Sequence, residues 1–152
     1  DRRQRQRWIR DRSNVVKIAL CMREMRDNPF EFYLPRGDVE AMRWMMARHN
    51  EDAAVLSTHK SGLYLPAYTG NRTYVGHWSE TLRFREKART AEWALYAPGD
   101  EAAKRAFLAA QGIRYVYFGN FERMRGRFAM GGARFLDKIY DRGGVAIYRV
   151  EP

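Results

Sequence analysis

Two short apolar or β-branched runs, 53–57 and 113–118, alternate with segments of helical apolar spacing, and the chain closes on two strand-like segments around Arg142-Gly143-Gly144. These observations predict an α/β fold: a mixed, mainly parallel, Rossmann-like sheet with flanking helices and a C-terminal β-hairpin. Of the 152 residues, 45% are hydrophobic and 14% aromatic, which excludes a disordered chain and allows one domain to bury roughly 70% of its unfolded surface. A lone cysteine, Cys21, excludes an internal disulfide and reads as a buried thiol. No apolar run approaches the roughly 20 residues that cross a bilayer. The chain begins at Asp1, which reads as an excised piece of a longer protein.

The elements follow in order. Residues 1–28 form a basic leader in which Arg2, Arg3, Arg5, Arg7, Arg10 and Arg12 crowd around Trp8 and Ile9. It reads as a juxtamembrane or nucleic-acid-binding arm, or as a solvated helix or frayed end. Val15, Val16, Ile18, Ala19, Met22 and Met25 approximate a helical stripe. Residues 29–152 then form a single α/β domain. Asn28-Pro29 breaks the helix, and the extended aromatic segment Phe30, Phe32, Tyr33 and Leu34 is expected to clip onto the core. Asp38 is placed to cap a helix over 39–49, with Val39, Met42, Met45 and Met46 on its core face.

The run 53–57 predicts the first central strand, followed by Thr58, His59, Lys60 and Ser61 where open α/β sheets place their ligand crevices. A short helical turn over 62–65 leads by Pro66 and Gly70 to a second strand over 72–76. Ser79 is expected to cap a long helix over 80–96, and Pro98-Gly99-Asp100 to start another, ended by left-handed Gly112. A strand over 113–118 precedes a long glycine- and arginine-rich loop over 119–132. The glycines of Arg142-Gly143-Gly144 suit the positive φ angles of a hairpin turn.

The three histidines, His49, His59 and His77, have no metal-ligand spacing, and the dinucleotide, phosphate-loop and nucleophile-elbow glycine patterns are missing. Hence no cofactor, metal or catalytic residue is predicted. Arg114-Tyr115-Val116 fails the RNA-recognition pattern, which requires a glycine where Tyr115 stands. His77 and Glu80 flank Trp78-Ser79 at a strand-to-helix junction, suited to an anion or sugar hydroxyl, or simply to capping. The candidate ligand-binding residues are Thr58, His59, Arg72, His77, Glu80, Lys87, Glu122 and Arg123. If 55 and 75 lie in neighbouring parallel strands, Arg72, His77 and Glu80 should gather near Thr58 to Ser61.

Pro29-Phe30-Glu31-Phe32-Tyr33-Leu34-Pro35, Leu65-Pro66-Ala67-Tyr68-Thr69-Gly70, Tyr74-Val75-Gly76-His77-Trp78-Ser79-Glu80-Thr81, Tyr115-Val116-Tyr117-Phe118-Gly119 and Glu122-Arg123 together form a broader pattern. Over residues 29–150 it resembles the C-terminal soluble domain of uncharacterised bacterial polytopic membrane proteins, related to integral-membrane glycosyltransferases that use lipid-linked sugars. The resemblance implies a domain on the outer face of the cytoplasmic membrane, following membrane helices of the same parent chain, with the catalytic acidic residues elsewhere in that parent. The arginine cluster runs against that orientation under the positive-inside rule, although long domains translocate regardless of flanking charge.

The leading functional reading is therefore a non-catalytic accessory domain of a membrane protein, binding a glycan or lipid-linked sugar. Its partners would be the membrane-embedded portion of the parent chain and anionic lipid headgroups or glycans. Nucleic acid is the alternative partner, supported by the formal charge of +10. A small enzyme using His77 with Glu80 or Glu122 is a third, without triad or metal spacing to support it.

Overall fold

The computed structural model describes residues 2–27, 33–49 and 52–151. Contacts divide the chain into two units, Asp1–Leu34 and Pro35–Pro152. The first holds α1 (Arg2–Asp27). Its apolar residues spread around the helix instead of forming one narrow stripe, and Val15, Val16, Ile18, Leu20 and Met22 are all exposed. Cys21 is exposed as well, which corrects the buried-thiol reading, since a single helix has no core of its own to receive it. Phe30 and Phe32, expected to clip onto the core, lie outside the described residues.

The second unit runs α2 (Arg36–Arg48), β1 (Ala54–Leu56), α3 (His59–Gly62), α4 (Leu65–Thr69), β2 (Arg72–Thr73), α5 (Phe84–Tyr96), α6 (Glu101–Ala110), β3 (Ile113–Phe118), α7 (Asn120–Arg125), β4 (Leu136–Arg142) and β5 (Val145–Val150). One five-stranded sheet has the order β2-β1-β3-β5-β4. β1 pairs in parallel with β2 and β3, whereas β5 is antiparallel to both β3 and β4. The sheet is thus mixed but evenly divided, not mainly parallel. The cause is the hairpin: β5 folds back tightly from β4 and takes the place beside β3 without a crossover helix. Gly143 and Gly144 turn that hairpin at φ 60 and 78.

Alternation along the strands builds two buried faces. On one, Val116, Phe118, Ala146 and Tyr148 pack with Ala91, Ala94 and Leu95 of α5 and Leu108 of α6. Tyr115 and Tyr117 point the other way, toward α2, where their hydroxyls meet His49 and Asp38. Met42 and Met45 are fully buried, as the helical stripe predicts, while Met46 is exposed. The α6 limits follow the expected punctuation: the Asp100 carboxylate accepts from Ala103 N at 3.0 Å and Gly112 has φ 62.

Four local expectations change. Asp38 lies inside the first turn of α2, fully buried, and its carboxylate reaches across the fold instead of capping. The helix expected from 80 begins at Phe84, preceded by left-handed Arg83, because Ser79 is taken up by His77. β2 stops after two residues, so Val75 is a buried core residue but belongs to no strand. The loop expected over 119–132 contains α7, with the Glu122 side chain accepting from Gly119 N at its start.

Candidate functional site

The eight candidate residues occupy different surroundings around the C-terminal ends of the parallel strands. Thr58, two residues beyond β1, meets Glu122 of α7. One carboxylate oxygen of Glu122, Oε1, accepts from Thr58 N at 2.9 Å and Thr58 Oγ1 at 2.6 Å. The other, Oε2, accepts from Ser61 Oγ at 2.9 Å and Gly119 N at 3.0 Å. All are buried, and Glu122 is fully so. Burial pushes its carboxyl above the ordinary 4.5, with the donated hydrogen bonds of Thr58, Ser61 and Gly119 pulling the other way. Each oxygen faces one fixed N–H and one rotatable hydroxyl. The hub therefore accommodates a proton on either oxygen, because a hydroxyl can turn from donor to acceptor while an amide cannot.

A second buried carboxylate stands nearby in the fold. Asp38 Oδ1 accepts from the Tyr117 hydroxyl at 2.8 Å and from Asn120 N at 3.3 Å, while Oδ2 accepts from Asn120 Nδ2. Burial, followed by the neighbouring Asp38 charge, holds the Tyr117 hydroxyl well above its usual range. Asn120 also donates to Gly143 O at 3.4 Å, and Arg123 Nε donates to Gly144 O at 2.6 Å. These contacts tie α2 and α7 to the hairpin turn. A Cβ on Gly119 would lie 2.3 Å from Asp38 Oδ1, and one on Gly37 would lie 2.0 Å from Gly143 O. The sequence marks neither role, since Asp38 reads locally as a cap and its partners lie 79 and 82 positions away.

Arg72, His77, Glu80 and Lys87 share an open groove of about 800 Å³ with Gly62 and Asn71. Gly62 approaches the 75–76 backbone so closely that a Cβ there would sit 1.9 Å from Val75 O. Arg72 is anchored at one side, its Nε 3.1 Å from Asp52 Oδ1 and its Nη2 donating to Asp52 O at 3.1 Å. His77 Nδ1 lies 2.8 Å from Ser79 Oγ and accepts from Ser79 N at 3.4 Å. That arrangement places the ring proton of neutral His77 on Nε2, the nitrogen left to a ligand. Lys87 Nζ stands 5.1 Å over the Tyr74 ring.

The structure thus joins Thr58 with Glu122, and Arg72 with His77, Glu80 and Lys87. Thr58 and Ser61 turn inward to the carboxylate hub, so the groove meets their segment only at Gly62 and Leu63. His59 packs edge-on against Phe84 at 5.8 Å, and the Arg123 guanidinium covers Phe118 at 5.5 Å. Neither lines the groove. Among the described residues, no group of three His, Cys, Asp or Glu side chains could hold a metal ion, and no helix is long and apolar enough to cross a membrane.

No family model and no curated protein matches the sequence. The chain is similar in structure to the C-terminal globular domain of an oligosaccharyltransferase from Archaeoglobus fulgidus, with a TM-score of 0.57 and 15% identity. The match covers 74% of this chain and 95% of that one, and what the two share at this identity is the fold.

Proposed function

We propose that this chain is a non-catalytic accessory domain of a membrane glycosyltransferase, held beside the membrane-embedded part of the same parent on the outer face of the bacterial cytoplasmic membrane. The observation that carries this reading is its fold likeness to nearly the whole C-terminal globular domain of an oligosaccharyltransferase. The residue pattern over 65–81 supports it independently. In this reading the groove of Arg72, His77, Glu80 and Lys87 receives a glycan or the sugar of a lipid-linked donor. Its chemistry suits a hydroxyl-rich ligand with some negative charge: two cations and an imidazole N–H donate, Glu80 accepts, and Leu63, Pro66 and Ala67 supply apolar surface.

The test is a titration of neutral and phosphorylated sugars into the folded chain, following the His77 ring by NMR. His77 shifts that saturate with a sugar, and weaken in Glu80→Ala and Lys87→Ala, support the reading. An unmoved His77 with every sugar removes the groove from it.

A further inference from the structure

The segment leading into α5 carries an exposed apolar pair outside the core, with Leu82 on the rim of the groove and Trp78 beyond its lining. Trp78 is 70% exposed and Leu82 80%, the latter the most exposed large hydrophobic among the described residues. Their presentation is built in. His77 O accepts from Glu80 N and Thr81 N, closing a tight turn around Trp78, and Gly76 N donates to Thr81 Oγ1. Arg83 then takes a left-handed backbone, φ 54 and ψ 42, rare for a residue with a side chain. That reversal leaves Leu82 outside while Phe84, two positions on, packs against the core. A non-glycine residue held in this region is strain maintained by its surroundings, and such strain concentrates at functional sites.

Charge gathers at the same place. Trp78, Arg83 and Arg85 line one shallow depression of about 520 Å³, with Thr81, Phe84 and Glu86. Between His77 and Arg89 the basic residues are Arg83, Arg85, Lys87 and Arg89, against the acidic Glu80 and Glu86. Arg83, Arg85 and Arg89 are exposed, and no ion pair of theirs occurs among the described residues.

We infer that the turn 77–83 is an interfacial anchor that seats the domain on an anionic lipid bilayer. Trp78 and Leu82 enter the headgroup–acyl boundary, and Arg83 and Arg85 contact lipid phosphates. An indole prefers that boundary because its body is apolar and its N–H is polar, and a neighbouring arginine gains from the negative surface potential. The projecting shape also separates the occupants. A sugar seated in the groove meets Leu82 but leaves Trp78, outside the groove lining, in water, whereas a bilayer buries both side chains at once. The inference deepens the accessory-domain reading and rests on it for the presence of a membrane nearby.

The chain is mixed with vesicles of phosphatidylcholine, alone or equimolar with phosphatidylglycerol, with and without brominated acyl chains. The signal of Trp78 is isolated as the difference between wild type and Trp78→Phe, which separates it from the other three tryptophans and from any binding by α1. Expected are a blue shift and bromine quenching of Trp78 with the anionic vesicles. The Leu82→Ser variant should weaken partitioning roughly tenfold, and Arg83→Gln or Arg85→Gln roughly fivefold each. Leu82 is too exposed for its replacement to unfold the domain, and circular dichroism checks this directly. Three results overturn the inference: a Trp78 signal that vesicles leave unchanged, partitioning indifferent to phosphatidylglycerol, or a Trp78 response to soluble oligosaccharide in place of lipid. Because this readout sits on Trp78 and the sugar readout on His77, failure of one is distinguishable from failure of the other.

Discussion

Replacing Glu122 by Gln tests whether the buried hub holds the C-terminal ends of β1 and β3 together. The two residues are nearly isosteric, yet they are not equivalent here. Each carboxylate oxygen accepts from one backbone N–H, of Thr58 or Gly119, and from one hydroxyl, of Thr58 or Ser61. Whichever way a Gln amide is turned, its NH₂ faces one of those N–H groups, and a backbone donor cannot rotate away. One buried N–H is left unsatisfied, which costs about 1–3 kcal/mol. Glu122→Ala strands both N–H groups and should cost about 2–6 kcal/mol on the same reasoning. The protonated Glu, by contrast, can place its proton toward Thr58 Oγ1 or Ser61 Oγ.

The pH dependence follows from burial. The folded-state pKa of Glu122 is raised above its ordinary 4.5, so the folded state binds this proton more tightly than the unfolded chain does. The stability gained by protonation is fully present below about pH 4.5 and is lost as pH rises through the raised value. Urea unfolding of wild type and Glu122→Gln across acid to neutral pH isolates this contribution, because carboxylates common to both cancel. Wild type should exceed the variant most at the acid end, with the gap narrowing as pH rises. A Gln variant within about 0.5 kcal/mol of wild type at every pH, no more than an ordinary surface change, would refute the hub. A gap that widens as pH rises would refute the sign.

Gly37→Ala should destabilise by about 1–3 kcal/mol or more in urea unfolding, because its Cβ would lie 2.0 Å from the Gly143 carbonyl oxygen and its nearest atoms are all Gly143 backbone. Arg83→Gly should raise thermal stability slightly, by about 0.5 kcal/mol, since relief of the left-handed strain exceeds the entropy cost of glycine. Nucleic-acid binding, if assayed by anisotropy, should be sequence-independent and fall steeply with salt, as expected for a chain of net charge +10 acting on phosphates; salt-resistant, selective binding would reverse the order of the functional readings.

The parts of the fold that the sequence announces are those whose causes are local. The glycines of the hairpin, Asp100 before α6, Gly112 after it and the β-branched, aromatic run of β3 each act on residues within a few positions. Asp38 and Ser79 have the same local signature as Asp100, yet neither caps a helix. Asp38 finds Tyr117 and Asn120 on distant elements, and Ser79 finds the adjacent His77 ring. A short polar side chain takes the nearest strong partner the fold offers, and sequence displays only the local ones. The same limit hides α7: its glycines and arginines look like loop, but Glu122 both starts the helix and is fixed by Thr58 and Ser61.

The candidate residues divide for a related reason. His77, Glu80 and Arg72 are close in sequence, and the parallel pairing of Val55 with Thr73 carries them to the end of β1. Thr58 and Ser61 are also at that end, so a crevice between β1 and β3 is the natural place for a ligand in an open α/β sheet. Here Glu122 already occupies that crevice. Its two oxygens take four donors, among them the backbone N–H groups of Thr58 and Gly119 that would otherwise be open to a phosphate. The open polar space is displaced to the β2 side, where the edge strand ends after Thr73 and the backbones at Gly62 and Val75 nearly touch. Under the proposed reading, a ligand would be met by Arg72, His77, Glu80 and Lys87 in the groove at the edge of the sheet, apart from the buried Glu122 hub.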